Sequence, residues 1–159
     1  MAQRVLFVCS ANSARSQMAE AFLRTLAGDA FEADSAGLEP EPVDPQAIAV
    51  MSERGIDISG QRSKGLHEYM GKTQFDHLIT VCDRAEKACP VFPGKGAREY
   101  WPMDDPLRAQ GSEQERLEKF REVRDLIEAR VRRWLVEHRY KSAQPLNAEP
   151  ALPVGDGVA

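Results

Sequence analysis

The sequence lacks any apolar run approaching the roughly 18 residues that a membrane-spanning helix needs, so no span is expected. It has no leader-like start. Met1-Ala2-Gln3-Arg4 runs straight into strand-forming residues, and a cytoplasmic protein without a signal peptide is expected. It has no basic stretch long enough for a nucleic-acid surface, and the net charge is −4. Arg130, Arg132, Arg133 and Arg139 lie near the end of a helical segment, where cations suit the dipole. Histidine is scarce: His67, His77 and His138 show no metal-ligand spacing to cysteine, so no metal centre is expected. Cysteine is scarce too. Cys9, Cys82 and Cys89 make an odd count, which argues against a structural disulfide framework and leaves catalytic or redox thiols. Nothing calls for more than a monomer.

What is present suffices for one domain with a core: 159 residues, 42% hydrophobic and 29% charged. Residues 3–8, 31–36, 75–82 and 97–101 read as strands. Helices are expected over 16–27, from Asp44-Pro45 onward, in a short piece near 65–70, and from about 113 to 138 behind Ser112 as N-cap. The last of these has a stripe of Leu117, Phe120, Val123, Leu126, Ile127, Val131, Trp134 and Leu135 for its buried face. Strands alternate with helices, so the expected class is α/β, a single domain with a four-stranded parallel sheet flanked by helices. The domain is expected over residues 1–139. Residues 140–159, rich in Pro and Gly with little to pack, read as a disordered tail.

The chemistry concentrates just after the first strand. Five residues, Ser10, Ala11, Asn12, Ser13 and Ala14, separate Cys9 from Arg15, and Ser16 opens a helix. Strand, small polar loop and helix N-terminus aim backbone N–H groups at one point. Such a nest attracts an anion and favours the thiolate of a cysteine at its mouth. No side chain in the loop is large enough to fill a core, and Asn12 tolerates left-handed backbone. The expected site is therefore a Cys9 thiolate facing a tetrahedral oxyanion. Ser10 to Ser16 would bind that oxyanion, and Arg15 would fold back as a two-pronged donor.

Two further constellations sit at carboxyl ends of expected strands, where ligands bind in parallel sheets. Cys82 and Cys89 are seven apart. On a helix they would share one face but be separated by about 10 Å at ~1.5 Å rise per residue. A disulfide needs Cα atoms within roughly 7 Å. The 82–89 segment has few core-like residues, only Ala85, Ala88 and Cys89, and is a candidate redox-driven two-state element. Asp104-Asp105-Pro106 is a turn whose carboxylic acid, beside an anion loop, is placed to protonate a leaving oxygen. Asp105 is the preferred acid and Asp104 the alternative.

The Cys9–Arg15-Ser16 loop, its strand and helix, and Asp105-Pro106 resemble the low-molecular-weight protein tyrosine phosphatase fold. Ser16-Gln17-Met18-Ala19-Glu20, the Cys82/Cys89 pair and the Trp101–Pro106 loop resemble more closely its thioredoxin-coupled arsenate reductases. The resemblance covers about residues 3–137. It implies that Cys9 attacks arsenate held by the loop and Arg15, while Asp105 protonates the departing hydroxide. Cys82 then attacks Cys9, releasing arsenite, and Cys89 attacks Cys82. Thioredoxin reduces the resulting Cys82–Cys89 disulfide. Phosphate and sulfate are implied as competing oxyanions, and weak phosphatase activity as a by-product. The alternative is a phosphatase hydrolysing phosphate monoesters through a Cys9 phosphocysteine. Leu107-Arg108-Ala109, where phosphatases of this type carry aromatic residues, disfavours a tyrosine substrate.

Two positions depart from the pattern. Ala14 stands where relatives often carry another cysteine, a position the three-thiol relay does not need. Some relatives hold a potassium ion near the loop through Asn, Glu, Ser and Asp. Asn12, Glu20 and Ser35 match, but Lys64 stands at the Asp position. With Ser16, these four residues are expected to support the loop, with the Lys64 ammonium in the cation's place and no bound cofactor.

Overall fold

The computed structural model describes residues 2–89 and 96–141. Four strands form one parallel sheet: β1 (Gln3–Cys9), β2 (Phe31–Gly37), β3 (His77–Thr80) and β4 (Ala97–Tyr100), in the order β2-β1-β3-β4. The apolar run Val5–Val8 makes β1 central, because a strand covered on both faces has no polar side to show. The chain leaves β1 to one side and returns across it to β3. The carboxyl ends of β1 and β3 therefore flank the point where strand order reverses.

Helices α1 (Arg15–Ala27), α2 (Pro45–Ser52), α3 (Asp83–Ala88) and α4 (Glu113–Glu137) complete the architecture, with single 3₁₀ turns at Leu66–Glu68 and Pro106–Arg108. Asp44 caps α2 as expected, accepting from Gln46 N at 2.8 Å, and Pro45 opens the helix. Ser112 and Glu115 form a reciprocal capping box on α4, satisfying two amides that the helix cannot. α4 packs on α1 and α2, and Trp134 lies edge-on to Phe31 at 5.0 Å and His77 at 4.9 Å. Among the described residues no helix is long and apolar enough to cross a membrane.

The structure corrects the expected elements in several places. Leu126 is 51% exposed and does not belong to the buried stripe of α4. It follows Val123 by three residues but sits about 100° round the helix from Ile127, past the edge of the covered face. The helix expected near 65–70 is only a 3₁₀ turn, entered from extended Gly65 and followed by left-handed Gly71. The third strand ends at Thr80, so Cys82 is not its last residue but the N-cap of α3. The arginines late in α4 pair with carboxylates rather than serving the helix end: Arg130 with Glu99 and Glu137, Arg132 with Glu128, Arg133 with Glu137. Tyr140 is not loose tail. Its N–H donates to Leu135 O and its hydroxyl to Asp29, so the packed chain runs past residue 139. The remainder of the expected tail, 142–159, lies outside the described residues.

Candidate active site

The loop from Cys9 to Ala14 has its carbonyls tied outward. Cys9 O, Ser10 O, Ala11 O and Ser13 O accept from the amides of Leu38, Glu39, Glu41 and Asp44 at 2.8–3.2 Å. Ala14 O accepts from Met18 N at 2.9 Å, and Asn12 O from Gln17 Nε2 at 3.0 Å. In a trans peptide the C=O and the following N–H point opposite ways. Six carbonyls held outward thus turn the amides of Ser10 to Arg15 inward, into an anion-binding nest. Asn12 makes the turn with φ 52°, the left-handed backbone its type tolerates.

The Cys9 sulfur sits in this nest. Asn12 N donates to Sγ at 3.2 Å, and Ser16 Oγ lies 2.9 Å away. Ser16 Oγ itself accepts from Asn12 Nδ2 at 2.8 Å, so its own hydrogen is available for the sulfur. These are contacts that a thiolate accepts. Gln17, at the start of α1, is a loop-holding residue that sequence reasoning missed. Its amide donates to Asn12 O, Asn12 Oδ1 (2.9 Å) and Arg62 O (3.1 Å), locking the loop to the 61–64 segment. Asn12 Oδ1 also accepts from Lys64 N at 2.8 Å. The signal in the sequence was an amide side chain one residue after the loop, at a helix start otherwise read only for its apolar face.

Gly37 is a second residue that sequence reasoning passed over. A Cβ there would lie 2.8 Å from Ala11 C and Asn12 N and 2.9 Å from the Asn12 side chain. Only glycine lets β2 pass this close beneath the loop. Gly37→Ala is therefore expected to push Asn12 out of register and weaken oxyanion binding about ten- to hundredfold, in line with overpacking costs of about 1–3 kcal/mol. Titration calorimetry with inorganic phosphate checks this; unchanged affinity would mean that the loop is not held against β2.

Beneath the loop lies a buried charge cluster. Glu20 accepts from Ser35 Oγ at 2.5 Å, pairs with Arg24, and has the Lys64 ammonium 3.5 Å from Oε1. Lys64 is 9% exposed and also donates to Arg62 O at 2.9 Å. It is thus a buried lysine inside the supporting network, in which Asn12 Oδ1 and both Glu20 carboxylate oxygens already face donors of the chain. Among the described residues no group of three His, Cys, Asp or Glu side chains is arranged to hold a metal ion.

A pocket opens over the loop, lined by Ser10, Arg15, Cys82, Met103, Asp105 and Arg108 among others. Arg15 is buried and lies across it, Nη1 donating to Met103 O at 3.0 Å and Nη2 lying 3.5 Å from Asp105 Oδ2. The two neighbouring carboxylates part company. Asp104 is 73% exposed by its side chain and bonds Lys119 at 3.0 Å, whereas Asp105, at 25%, faces Arg15 and caps the turn through Leu107 N. Asp105 is the carboxylate on the loop arginine. Cys82 Sγ accepts from Ala85 N at 3.3 Å and lies 3.6 Å from Ser10 Oγ, next to the loop. Cys89 is at the far end of α3, away from the pocket lining, with its N–H bonded to Ala85 O. Burial pushes its thiol above the ordinary value, and Glu86 adds to this while Arg98 opposes it. All three thiols are free and buried.

Residues 4–145 match the model of the low molecular weight phosphotyrosine protein phosphatase family. The chain belongs to this family. Within the low molecular weight phosphatases, it is similar to enzymes that act on arsenate. An arsenate reductase of Shouchella clausii is 41% identical over 130 residues, which are 82% of this chain and 93% of that one. A solved arsenate reductase in its oxidized state superposes with a TM-score of 0.73 at 36% identity, over 85% of this chain and 98% of that one. A thioredoxin-dependent arsenate reductase of Corynebacterium glutamicum superposes with a TM-score of 0.65 at 29% identity, over 87% of this chain and 62% of that one. The α/β class with four parallel strands is the fold of these relatives.

Proposed function

We propose that the protein reduces arsenate to arsenite through a three-cysteine relay regenerated by thioredoxin. The observation that carries this reading is the placement of Cys82: a second free thiol in contact with Ser10, one residue from Cys9, at the rim of the same oxyanion pocket. A phosphatase needs Cys9, Arg15 and an acid, but has no use for that thiol. The similarity to arsenate reductases, including one described as oxidized and one as thioredoxin-dependent, supports the same reading.

The steps of this reading are those the resemblance implies, and the geometry suits them. Arsenate binds in the nest of Ser10–Ser16 amides with Arg15 on its oxygens. The Cys9 thiolate bonds to arsenic, and one oxygen leaves as water with a proton from Asp105. Cys82 attacks the Cys9 sulfur. The Cys9–arsenic bond breaks, its electron pair stays on arsenic, and As(V) leaves as As(III) while a Cys9–Cys82 disulfide forms. Cys89 attacks Cys82, the Cys9 thiolate is released, and the Cys82–Cys89 disulfide passes to thioredoxin. Ser10 Oγ and the Ala85 N–H both contact the Cys82 sulfur, where they orient it for the second step. Phosphate or sulfate competes for the loop by shape and charge. A reducing cytoplasm and a monomer suit this cycle. The test is arsenate-dependent NADPH consumption through thioredoxin and thioredoxin reductase; no consumption above the arsenate-free rate would reject the thioredoxin coupling.

The buried lysine carries a second part of the reading. The Lys64 ammonium supplies the positive charge beneath the loop that balances Glu20, so no potassium ion is required there. Turnover is expected to change by less than about twofold between potassium and sodium salts at equal ionic strength. Strong activation by potassium would overturn this.

A further inference from the structure

The relay needs α3 to come apart, since about 10 Å separates residues seven apart on a helix and a disulfide spans roughly 7 Å at most. What keeps α3 intact in the dithiol protein is not its own propensity. It has six residues, far below the ~12–15 at which isolated helices become marginal. Its only buried residue besides the flanking cysteines is Ala85. Its far end is instead held by side chains of two strands. From β4, Arg98 Nη2 donates to Glu86 O at 3.0 Å and lies 3.4 Å from Glu86 Oε1, while Nη1 reaches Cys89 O at 3.5 Å. From β3, the fully buried Thr80 hydroxyl donates to the same Glu86 Oε1 at 2.6 Å. Arg98 thus bonds carbonyls that a helix C-terminus leaves without partners.

We propose that Arg98, together with Thr80 and through Glu86, forms a clasp that holds α3 closed and thereby sets how readily Cys82 and Cys89 oxidise. The inference rests on the relay reading. The contacts to Glu86 O and Cys89 O exist only while the helix exists, so the clasp stabilises the dithiol and not the disulfide. Arg98 reaches no substrate: besides its bond to the Cys89 thiol, it acts through the backbone carbonyls it holds, as a positioning residue. Loosening the clasp makes the disulfide easier to form and harder for a reductant to remove. It therefore tunes the balance between the step that releases Cys9 and the step that hands electrons in.

The test uses the full chain carrying Cys9→Ser, which leaves Cys82 and Cys89 as the only thiols. They are equilibrated with reduced and oxidised glutathione. Two electrons and two protons pass from the pair to glutathione disulfide, giving the Cys82–Cys89 bond and two glutathiones. Arg98→Met is expected to raise the equilibrium constant for disulfide formation about tenfold, a potential about 30 mV lower. Thr80→Val should move it in the same direction by about threefold, without touching any charge. Arg98→Lys keeps a cation near Cys89 but loses the two-pronged reach, and should behave like Arg98→Met. A wild-type constant in Arg98→Lys would assign the effect to charge alone and overturn the clasp, as would wild-type constants in both Arg98→Met and Thr80→Val.

Amide exchange in the reduced protein provides an independent reading. The Cys89 amide, bonded to Ala85 O, should exchange about tenfold faster in Arg98→Met while β1 amides keep their protection. Unchanged exchange at Cys89 sinks the clasp whatever the thiols do. If instead the Cys9→Ser protein forms no Cys82–Cys89 disulfide at any glutathione ratio, the relay fails, and with it the proposed redox role of Arg98.

Discussion

Cys9→Ser is expected to abolish arsenate reduction and phosphate monoester hydrolysis together, each by more than about a thousandfold, as losing a nucleophile does in other covalent enzymes. A serine hydroxyl fits the same space and can take the same contacts from Asn12 N and Ser16 Oγ. The nest of Ser10–Arg15 amides is held by outside partners, not by the sulfur. The variant should therefore fold, melt within a few degrees of the parent, and still bind phosphate. The loss is then one of chemistry and not of binding. Steady-state assays with both substrates, paired with phosphate titration, separate the two. Arsenate reduction persisting in Cys9→Ser at more than about a tenth of the parent rate would remove Cys9 from the mechanism.

Cys89→Ser should divide the two activities that Cys9→Ser removes together. Phosphate ester hydrolysis needs only the loop, Arg15 and Asp105, and should be retained within about twofold, because Cys89 lies outside the pocket. Arsenate turnover with thioredoxin should fall about a hundredfold or more after one arsenite per protein, with a Cys9–Cys82 disulfide left in the pocket. Mass spectrometry of the trapped protein reads that bond. Cys82→Ser should stop earlier and release no arsenite. Wild-type reduction in both variants would reject the relay.

In the proposed relay the same thiol brings a pH dependence. Burial holds Cys89 above the ordinary thiol value, so the closed helix binds its proton more tightly than an opened one does. A group that binds its proton more tightly in the closed form stabilises that form at low pH. The advantage is lost as pH rises through the ordinary thiol range near about 8.5. Opening and thiolate formation then act in the same direction. Transfer of the disulfide from Cys9–Cys82 to Cys82–Cys89 should quicken up to about tenfold per unit between pH 7 and 8.5. Rapid-quench alkylation measures this, and a flat profile would show that Cys89 is not the attacking thiol.

Much of the site was legible in the chain because it is local. Cys9, Arg15 and Ser16 share one strand–loop–helix, and a short polar loop between such elements has few geometries open to it. Asn12 was expected to tolerate left-handed backbone and adopts it, since that tolerance belongs to the residue type. The parallel sheet followed from strand–helix alternation, and the caps at Asp44 and Ser112 from hydrogen bonds spanning two or three residues. Helix periodicity was a weaker guide. Leu126 is apolar and at nearly the right spacing, but only the position of α1 and α2 against α4 decides which arc is covered.

What lay beyond the sequence are contacts between residues far apart along the chain. Which of Asp104 and Asp105 faces the loop arginine turned on partners fifteen and ninety residues away, Lys119 and Arg15. Lys64, readable as a solvated lysine, is buried because the 61–64 segment is bound under the loop by Gln17 and Asn12. Gly37 matters because β2 runs beneath Asn12, and Arg98 because β4 brings it to the end of α3. Residue type and spacing set the nucleophile, the nest and the thiols, since those depend on covalent chemistry and short-range backbone geometry. The acid that faces the arginine, the charge beneath the loop and the clasp on the redox helix depend on strand order and loop packing, which bring together side chains that no local pattern links.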